Sequence, residues 1–197
     1  MKKKLIMVAA PPACGKTYAS MLIANALGHC TYLDKDDLCP LVTKASELGG
    51  HELNMDSTFY KQNIRSAEYE TVINIALAAL RFDDAVILNA PLSREVRDLD
   101  YMRNIKAQVN SLGAELVVIW VVTPLDVCYE RMKKRNADRD RFKLADWDAY
   151  VKNIDYSAPT LLETESAVDA LIVFNSENEE TTNESLKITL EKLNKTA

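Results

Sequence analysis

The stretch Ala10-Pro11-Pro12-Ala13-Cys14-Gly15-Lys16-Thr17 constrains this chain more than any other. It follows the apolar run Leu5 to Ala9 and opens a helical pattern that lasts to Leu27, where Gly28 supplies a stop. A buried strand, a tight loop and a helix N-terminus, in that order, make an anion site. Backbone N–H groups of the loop and first helical turn converge on one point, and the helix dipole adds positive potential there. Lys16 is placed to reach the terminal phosphates of a nucleotide, and the Thr17 hydroxyl to hold Mg²⁺. The spacing is that of the P-loop, G-x-x-x-x-G-K-[ST], with Ala10 at the first glycine. That position bends sharply, and Ala enters it only with a negative φ. Pro11 and Pro12 stiffen the turn. The expected nucleotide contacts are Pro12, Ala13, Cys14, Gly15, Lys16, Thr17 and Tyr18.

Beyond the loop, strand and helix patterns alternate. Strands are expected at Lys4–Ala9, Cys30–Leu33, Ala85–Asn89, Glu115–Val122 and Leu171–Phe174. Between them, Leu38 to Leu48 reads as a helix interrupted near Pro40, and Ser57 or Thr58 caps a long helix through Leu80. Leu99, Met102, Ile105, Val109 and Leu112 form another helical stripe, ended by Gly113. Thr123 as N-cap, Pro124 and Asp126 start the next helix. A short helix over Ala145–Asn153 follows, then an irregular stretch from Asp155 to Ala170, the last strand, and a final helix from about Thr182 to Leu193. Such alternation demands parallel pairing through crossovers, and therefore a three-layer α/β fold. No linker divides the 197 residues, so one domain over 1–197 is expected.

Composition narrows the function classes. No apolar run approaches the roughly 18–20 residues of a membrane span. Met1-Lys2-Lys3-Lys4 is followed by an apolar segment that breaks at Pro11, too short for a signal peptide. The four cysteines, Cys14, Cys30, Cys39 and Cys128, form no C-x-x-C pair and no ligand spacing with His29 or His51. They read as reduced thiols of a cytoplasmic protein. Cys14 is expected to have a lowered pKa, because it falls at a helix N-terminus. The net charge of −5 is uneven: seven basic residues crowd 131–143, and none occurs from Asn153 to Leu186. A local phosphate-binding segment fits that pattern better than a global nucleic-acid-binding field.

The reaction is suggested at the second strand. Ligands of a parallel sheet bind at the C-terminal strand ends, so Asp34-Lys35-Asp36-Asp37 and the P-loop share one edge. A carboxylate beside a γ-phosphate accepts a proton from an attacking hydroxyl, and a second orients Mg²⁺ through water. Three acids in four residues exceed what capping the next helix needs.

On these residues the chain resembles the small P-loop kinases of the nucleoside-monophosphate-kinase class. The P-loop with Asp34-x-Asp36 is similar to shikimate and gluconate kinases. Asp36-Asp37 is similar to the 5′-hydroxyl polynucleotide kinases and the zeta-toxin-like, AAA_33-type kinases. The resemblance implies a five-stranded parallel sheet in the order 2-3-1-4-5 with a helical lid, and ATP with Mg²⁺ as cofactors. It makes Lys16 and Asp36 catalytic, with Asp36 as the base, and Thr17 and Asp34 the metal residues. The segment Cys128 to Arg135 resembles the helix leading into the lid, at about 131–145. Arg131, Arg135 and Arg139 then contact ATP phosphates or the transferring phosphoryl group, and guanidinium forks suit that charge. Asn175-Ser176 matches a loop lining adenine. Helices over about 36–81 form the acceptor pocket, where Asp36, Arg65, Arg94 and Arg97 bind an acceptor.

Two departures stand out. Ala10 and Ala13 replace common glycines, and β-strand three ends in Asn89-Ala90-Pro91, with neither a metal-binding Asp nor the glycine run of shikimate kinases. The favoured reading is an ATP-dependent kinase of a small hydroxylated molecule. A polynucleotide 5′-hydroxyl kinase needs a basic strand-binding channel, which the acidic net charge disfavours. A nucleotide-binding regulatory protein without phosphotransfer fits the missing glycines but not the retained Lys16, Thr17 and Asp36.

Overall fold

Alternation along the first strand decides how the sheet is covered. Every residue of β1 (Lys4–Ala9) is buried. Leu5, Met7 and Ala9 join one apolar cluster, Ile6 and Val8 the other, as the two-residue period of a strand requires. A strand buried on both faces needs helices on both sides of the sheet. The computed structural model, which describes residues 2–137 and 140–195, has them. One face is covered by α4 (Arg65–Ala79) and α5 (Leu99–Ser111), the other by α1 (Lys16–Leu27), α6 (Leu125–Arg135) and α10 (Glu179–Lys195).

Among the described residues five strands pair, all in parallel: β1, β2 (Thr31–Asp34), β3 (Ala85–Asn89), β4 (Glu115–Val122) and β5 (Ala170–Asn175). Their order is β2-β3-β1-β4-β5, the three-layer arrangement and strand order expected. The register then places the site. Asp34 lies opposite Asn89, and Asn89 opposite Val8. The end of β2, the end of β3 and the start of the P-loop therefore stand side by side at one edge. No helix among the described residues is long and apolar enough to cross a membrane.

Several local expectations need correction. Pro40 does not interrupt its helix. It falls in the first turn of α2 (Cys39–Leu48), where a missing N–H leaves no bond broken. The long helix capped by Ser57, whose hydroxyl accepts from Tyr60 N–H at 3.1 Å, stops at Ile64. It becomes α3 (Thr58–Asn63) and α4. Eight residues of straight helix would leave Tyr60 and Glu68 about 12 Å apart along the axis. Across the break the Tyr60 hydroxyl donates to Glu68. Thr123 does not cap α6. The N-cap is Pro124, and the Thr123 hydroxyl bonds instead to the Cys14 carbonyl in the P-loop at 3.0 Å. The helix expected over Ala145–Asn153 is α8 (Trp147–Lys152), and a further short helix, α7 (Arg141–Ala145), precedes it. Asp146 separates them and caps the second through Ala149 N–H. The stretch expected to be irregular holds α9 (Leu161–Thr164).

Trp120 of β4 is fully buried, whereas Val173, its partner in register on β5, is 49% exposed. Trp120→Ala is expected to destabilise by ~3–5 kcal/mol and Val173→Ala by about 0.5 kcal/mol or less. Urea unfolding checks this, and equal losses would contradict the placement of the core.

Candidate phosphoryl-transfer site

The P-loop turns on two left-handed residues, Ala13 (φ 66°) and Gly15 (φ 83°). Left-handed residues in a tight loop swing successive N–H groups inward to form an anion nest. Ala10 keeps a negative φ, as expected. Ala13 pays a steric penalty of about 1–2 kcal/mol that glycine would not. Gly15 has a second reason to lack a side chain: a Cβ there would sit 2.6 Å from Ser176 Oγ and 3.3 Å from Arg131 Nη1. Lys16 and Thr17 follow at the start of α1, and Tyr18 is exposed on its outer side.

Asn89, fully buried at the end of β3, joins these residues to the second strand. Lys16 Nζ donates to Asn89 Oδ1 at 2.6 Å. Asn89 Nδ2 donates to Asp34 Oδ2 at 2.5 Å and to Thr17 Oγ1 at 3.2 Å. The other oxygen of Asp34 accepts from Asp36 N–H at 2.9 Å and so caps the 3₁₀ turn Lys35–Leu38 that carries Asp36. Asp36 itself is exposed, with Lys35 Nζ 3.2 Å from its carboxylate. Lys35 is buried and pairs with Glu68 at 2.8 Å. Burial works against its charge, but Glu68 and Asp36 outweigh it and hold the ammonium above the ordinary lysine range. Asn89, Lys35 and Glu68 went unassigned in the sequence. The available signal was a polar side chain ending a buried parallel strand, at the edge where ligands bind.

Arg131 of α6 braces the other side of the P-loop. Its guanidinium donates to Thr123 Oγ1 at 3.3 Å, and to the carbonyls of Ser176 and Glu177 at 2.5 and 3.1 Å. Thr123 in turn holds the Cys14 carbonyl, so the ends of β4 and β5 are tied to the loop. Asn175 caps its own turn, its side chain accepting from Glu177 N–H at 3.0 Å. Arg135 is held by the buried carboxylate of Asp140 at 2.6–2.8 Å. Arg139 lies outside the described residues.

Cys14 departs from its expectation. Its thiol lies 3.7 Å from that of Cys128, and both are buried. The hydrogen bond shared with Cys128, together with burial, pushes the Cys14 pKa up, and the same hydrogen bond draws that of Cys128 down.

Of the three arginines expected to bind an acceptor, Arg65 and Arg97 already have partners. Arg65 makes a two-pronged pair with Glu95 at 2.5 and 3.1 Å and stacks 4.4 Å over the Tyr69 ring. Arg97 pairs with Asp155 at 2.9 Å and donates to the carbonyls of Asp155 and Ser157. Arg94 is exposed. Arg65 and Arg94 line a cleft of about 500 Å³ between α4 and α5, together with Tyr69, Glu95, Asp98 and Tyr101. Burial pushes the Tyr69 hydroxyl up to about 12. Thus Lys16, Thr17, Asp34 and Asp36 are gathered at one edge. Arg65 and Arg94 line a separate cleft that shares no lining residue with that cluster, and Arg97 is engaged with Asp155 and Ser157.

The model of the AAA_33 family, described as an AAA domain, matches residues 5–156. Comparison with curated proteins gives no match. Among solved structures the chain is similar to a kinase candidate from Chloroflexus aurantiacus j-10-fl, with 20% identity, all of both chains covered and a TM-score of 0.69. It is also similar to Kti12 of Chaetomium thermophilum in complex with ADP-AlF3, with 15% identity over 95% of this chain and 97% of that one, at a TM-score of 0.58. Shikimate kinase from Bacteroides thetaiotaomicron matches with 14% identity over 98% and 99%, at a TM-score of 0.53. The likeness is one of fold, that of the small P-loop kinases.

Backbone conformation at the loop is directly testable. Gly15→Ala is expected to cost at least ~1–2 kcal/mol, since it meets both a left-handed φ and Ser176. Ala13→Gly removes the penalty of its left-handed φ and is expected to raise stability by up to about 1 kcal/mol, net of chain entropy. Thermal unfolding of both variants reads the two signs, and a neutral Gly15→Ala would refute the packing described.

Proposed function

The chain belongs to the AAA_33 family, and from that footing we propose that it transfers the γ-phosphate of ATP to a hydroxyl of a small molecule. The observation that carries this reading is the gathering of Lys16, Thr17 and Asp34 around Asn89, with Asp36 tied to Asp34 through its own N–H. One end of that cluster suits phosphates and the other presents an exposed carboxylate.

In this reading the N–H groups of Ala13 to Thr17 bind the β- and γ-phosphates, and Lys16 draws charge from the γ-phosphate. Asp36 orients the acceptor hydroxyl and takes its proton as the oxygen attacks phosphorus. The bond to the β–γ bridging oxygen breaks, and ADP leaves. The transition state is loose, so proton transfer comes late and a carboxylate suffices as base. Thr17 Oγ1 and Asp34 Oδ2 both accept from Asn89 Nδ2, so two hard oxygens lie near one another with the amide between them. No group of three His, Cys, Asp or Glu among the described residues is arranged to hold a metal ion. That donor set fits Mg²⁺ arriving with the nucleotide, which needs one or two protein oxygens and neutralises charge on the β/γ oxygens. In this reading Arg131 holds the loop in shape, and Arg135, once released from Asp140, is a candidate for contacting the phosphates. Residues 36–81 supply the acceptor wall.

Several observations support a small acceptor rather than a nucleic-acid strand. Arg65 and Arg97 are neutralised by Glu95 and Asp155, and Glu70, Glu95 and Asp98 line the cleft. A polyanionic strand gains little from such a surface. The cytoplasm, where ATP is at hand and the free thiols stay reduced, is the compartment this reading implies.

A screen of hydroxylated metabolites and a 5′-hydroxyl oligonucleotide, with transfer from γ-labelled ATP as readout, tests the acceptor class. Labelling of the oligonucleotide alone, weakening steeply with salt, would replace this reading by the polynucleotide one. With the acceptor in hand, Lys16→Ala should lower turnover by ~10²-fold or more. Asp36→Asn should lower it by a similar ~10²-fold while ATP affinity stays nearly unchanged. Undiminished transfer by Asp36→Asn would remove the proposed base.

A further inference from the structure

We propose that Asn89 is a positioning residue that sets Lys16 and Asp34 through one amide and, being neutral, adds no second carboxylate against Asp34, so that the divalent cation enters only with the nucleotide. This rests on the kinase reading and adds to it the residue that orders the site. Asn89 is fully buried, and each side of its amide is committed. Lys16 has only donors and Asp34 only acceptors, so the amide oxygen must face the lysine and the NH₂ the carboxylate. No other side chain of this length presents an acceptor and two donors in that fork. An aspartate at position 89 would still accept from Lys16, but its second oxygen would stand against Asp34 Oδ2, where the amide now sits at 2.5 Å. Like charges that close repel strongly.

Position 89 is coupled to both ends of the site. The amide fixes Lys16 on the phosphate side. Asp34, fixed by the same amide, receives Asp36 N–H with its other oxygen and so sets the turn that carries the proposed base. The three strand-end elements meet only because β3 lies between β2 and β1. With one lysine and one carboxylate around a neutral amide, local charge nearly balances. Free Mg²⁺ then has little to bind, and the phosphates bring the charge that recruits it.

A charge swap in the full-length chain tests this: Asn89→Asp, Asp34→Asn and the double variant Asn89→Asp/Asp34→Asn. The readouts are ATP affinity in EDTA by calorimetry and the shift in melting temperature on adding MgCl₂ alone. The wild type is expected to bind ATP and to show no shift with millimolar MgCl₂ alone. Asn89→Asp should bind metal-free ATP at least about tenfold more weakly, because a new negative charge faces the γ-phosphate. It should also gain ~2–4 °C from MgCl₂ alone, a site with two carboxylates having been created. The double variant holds one carboxylate and one amide again, so both readouts should return to within about threefold of wild type. Equal MgCl₂ shifts in the wild type and Asn89→Asp overturn the proposal, as does a double variant no better than its two single losses combined. Should Asn89→Asp fail to fold, the double variant decides. Folded with near-wild-type ATP affinity it supports the swap, and unfolded it overturns it. A wild type that binds no ATP would instead refute the kinase reading beneath.

Discussion

Pairing of β3 with both its neighbours is the constraint on which the site depends. Because β3 lies between β2 and β1, and the strands run parallel, Asp34, Asn89 and the entry to the P-loop end at one level. A parallel sheet needs long crossovers, and these carry α1, α4 and α5 over the two faces. The same crossovers leave the C-terminal edge open for a ligand. Loss of the β2–β3 register by one residue would turn Asp34 to the other face and away from Asn89.

A second layer of order is electrostatic. Buried charge is costly unless paired, and each buried charged group near the site has a partner. Lys35 has Glu68 and Asp36, Glu95 has Arg65, and Asp140 has Arg135. These pairs hold the turn carrying Asp36, and the side chains of Arg65 and Arg135, without a ligand. They also mean that an anionic acceptor must displace a carboxylate to reach Arg65. Arg131 illustrates the same economy of contacts. Its guanidinium donates to Thr123 and to the Ser176 and Glu177 carbonyls, and so ties the ends of β4 and β5 together beside the P-loop.

Much of the framework was readable from residue pattern. The bounds of β3 and β4 coincide with their apolar runs, and β1, the P-loop and α1 follow from an apolar run, the Gly15-Lys16-Thr17 spacing and a helical pattern, whereas the left-handed φ of Ala13 shows only in the structure. Strand order was not readable from periodicity; it came with the resemblance carried by the P-loop and Asp34-x-Asp36. Features set by distant contacts escaped. The break at Ile64 follows from Tyr60 reaching Glu68, and Thr123 leaves its helix because a P-loop carbonyl 109 residues away competes for its hydroxyl. The neutralisation of Arg65 by Glu95 is likewise a tertiary event, since a charge in sequence does not reveal its partner. Asn89 was legible as an oddity, a polar end to an apolar strand, but its three bonds need the register of β2 and β1 to be seen.

The central claim is that one edge of the sheet holds a γ-phosphate between Lys16 and Asp36. A crystal structure with ADP, aluminium fluoride and Mg²⁺ tests it most directly. The account expects the fluoride group against Lys16 Nζ, in line between the β-phosphate and the Asp36 carboxylate, with the cation near Thr17 and Asp34. A nucleotide seated away from Gly15 to Thr17, or a fluoride group with Asp36 outside the line of attack, would contradict it.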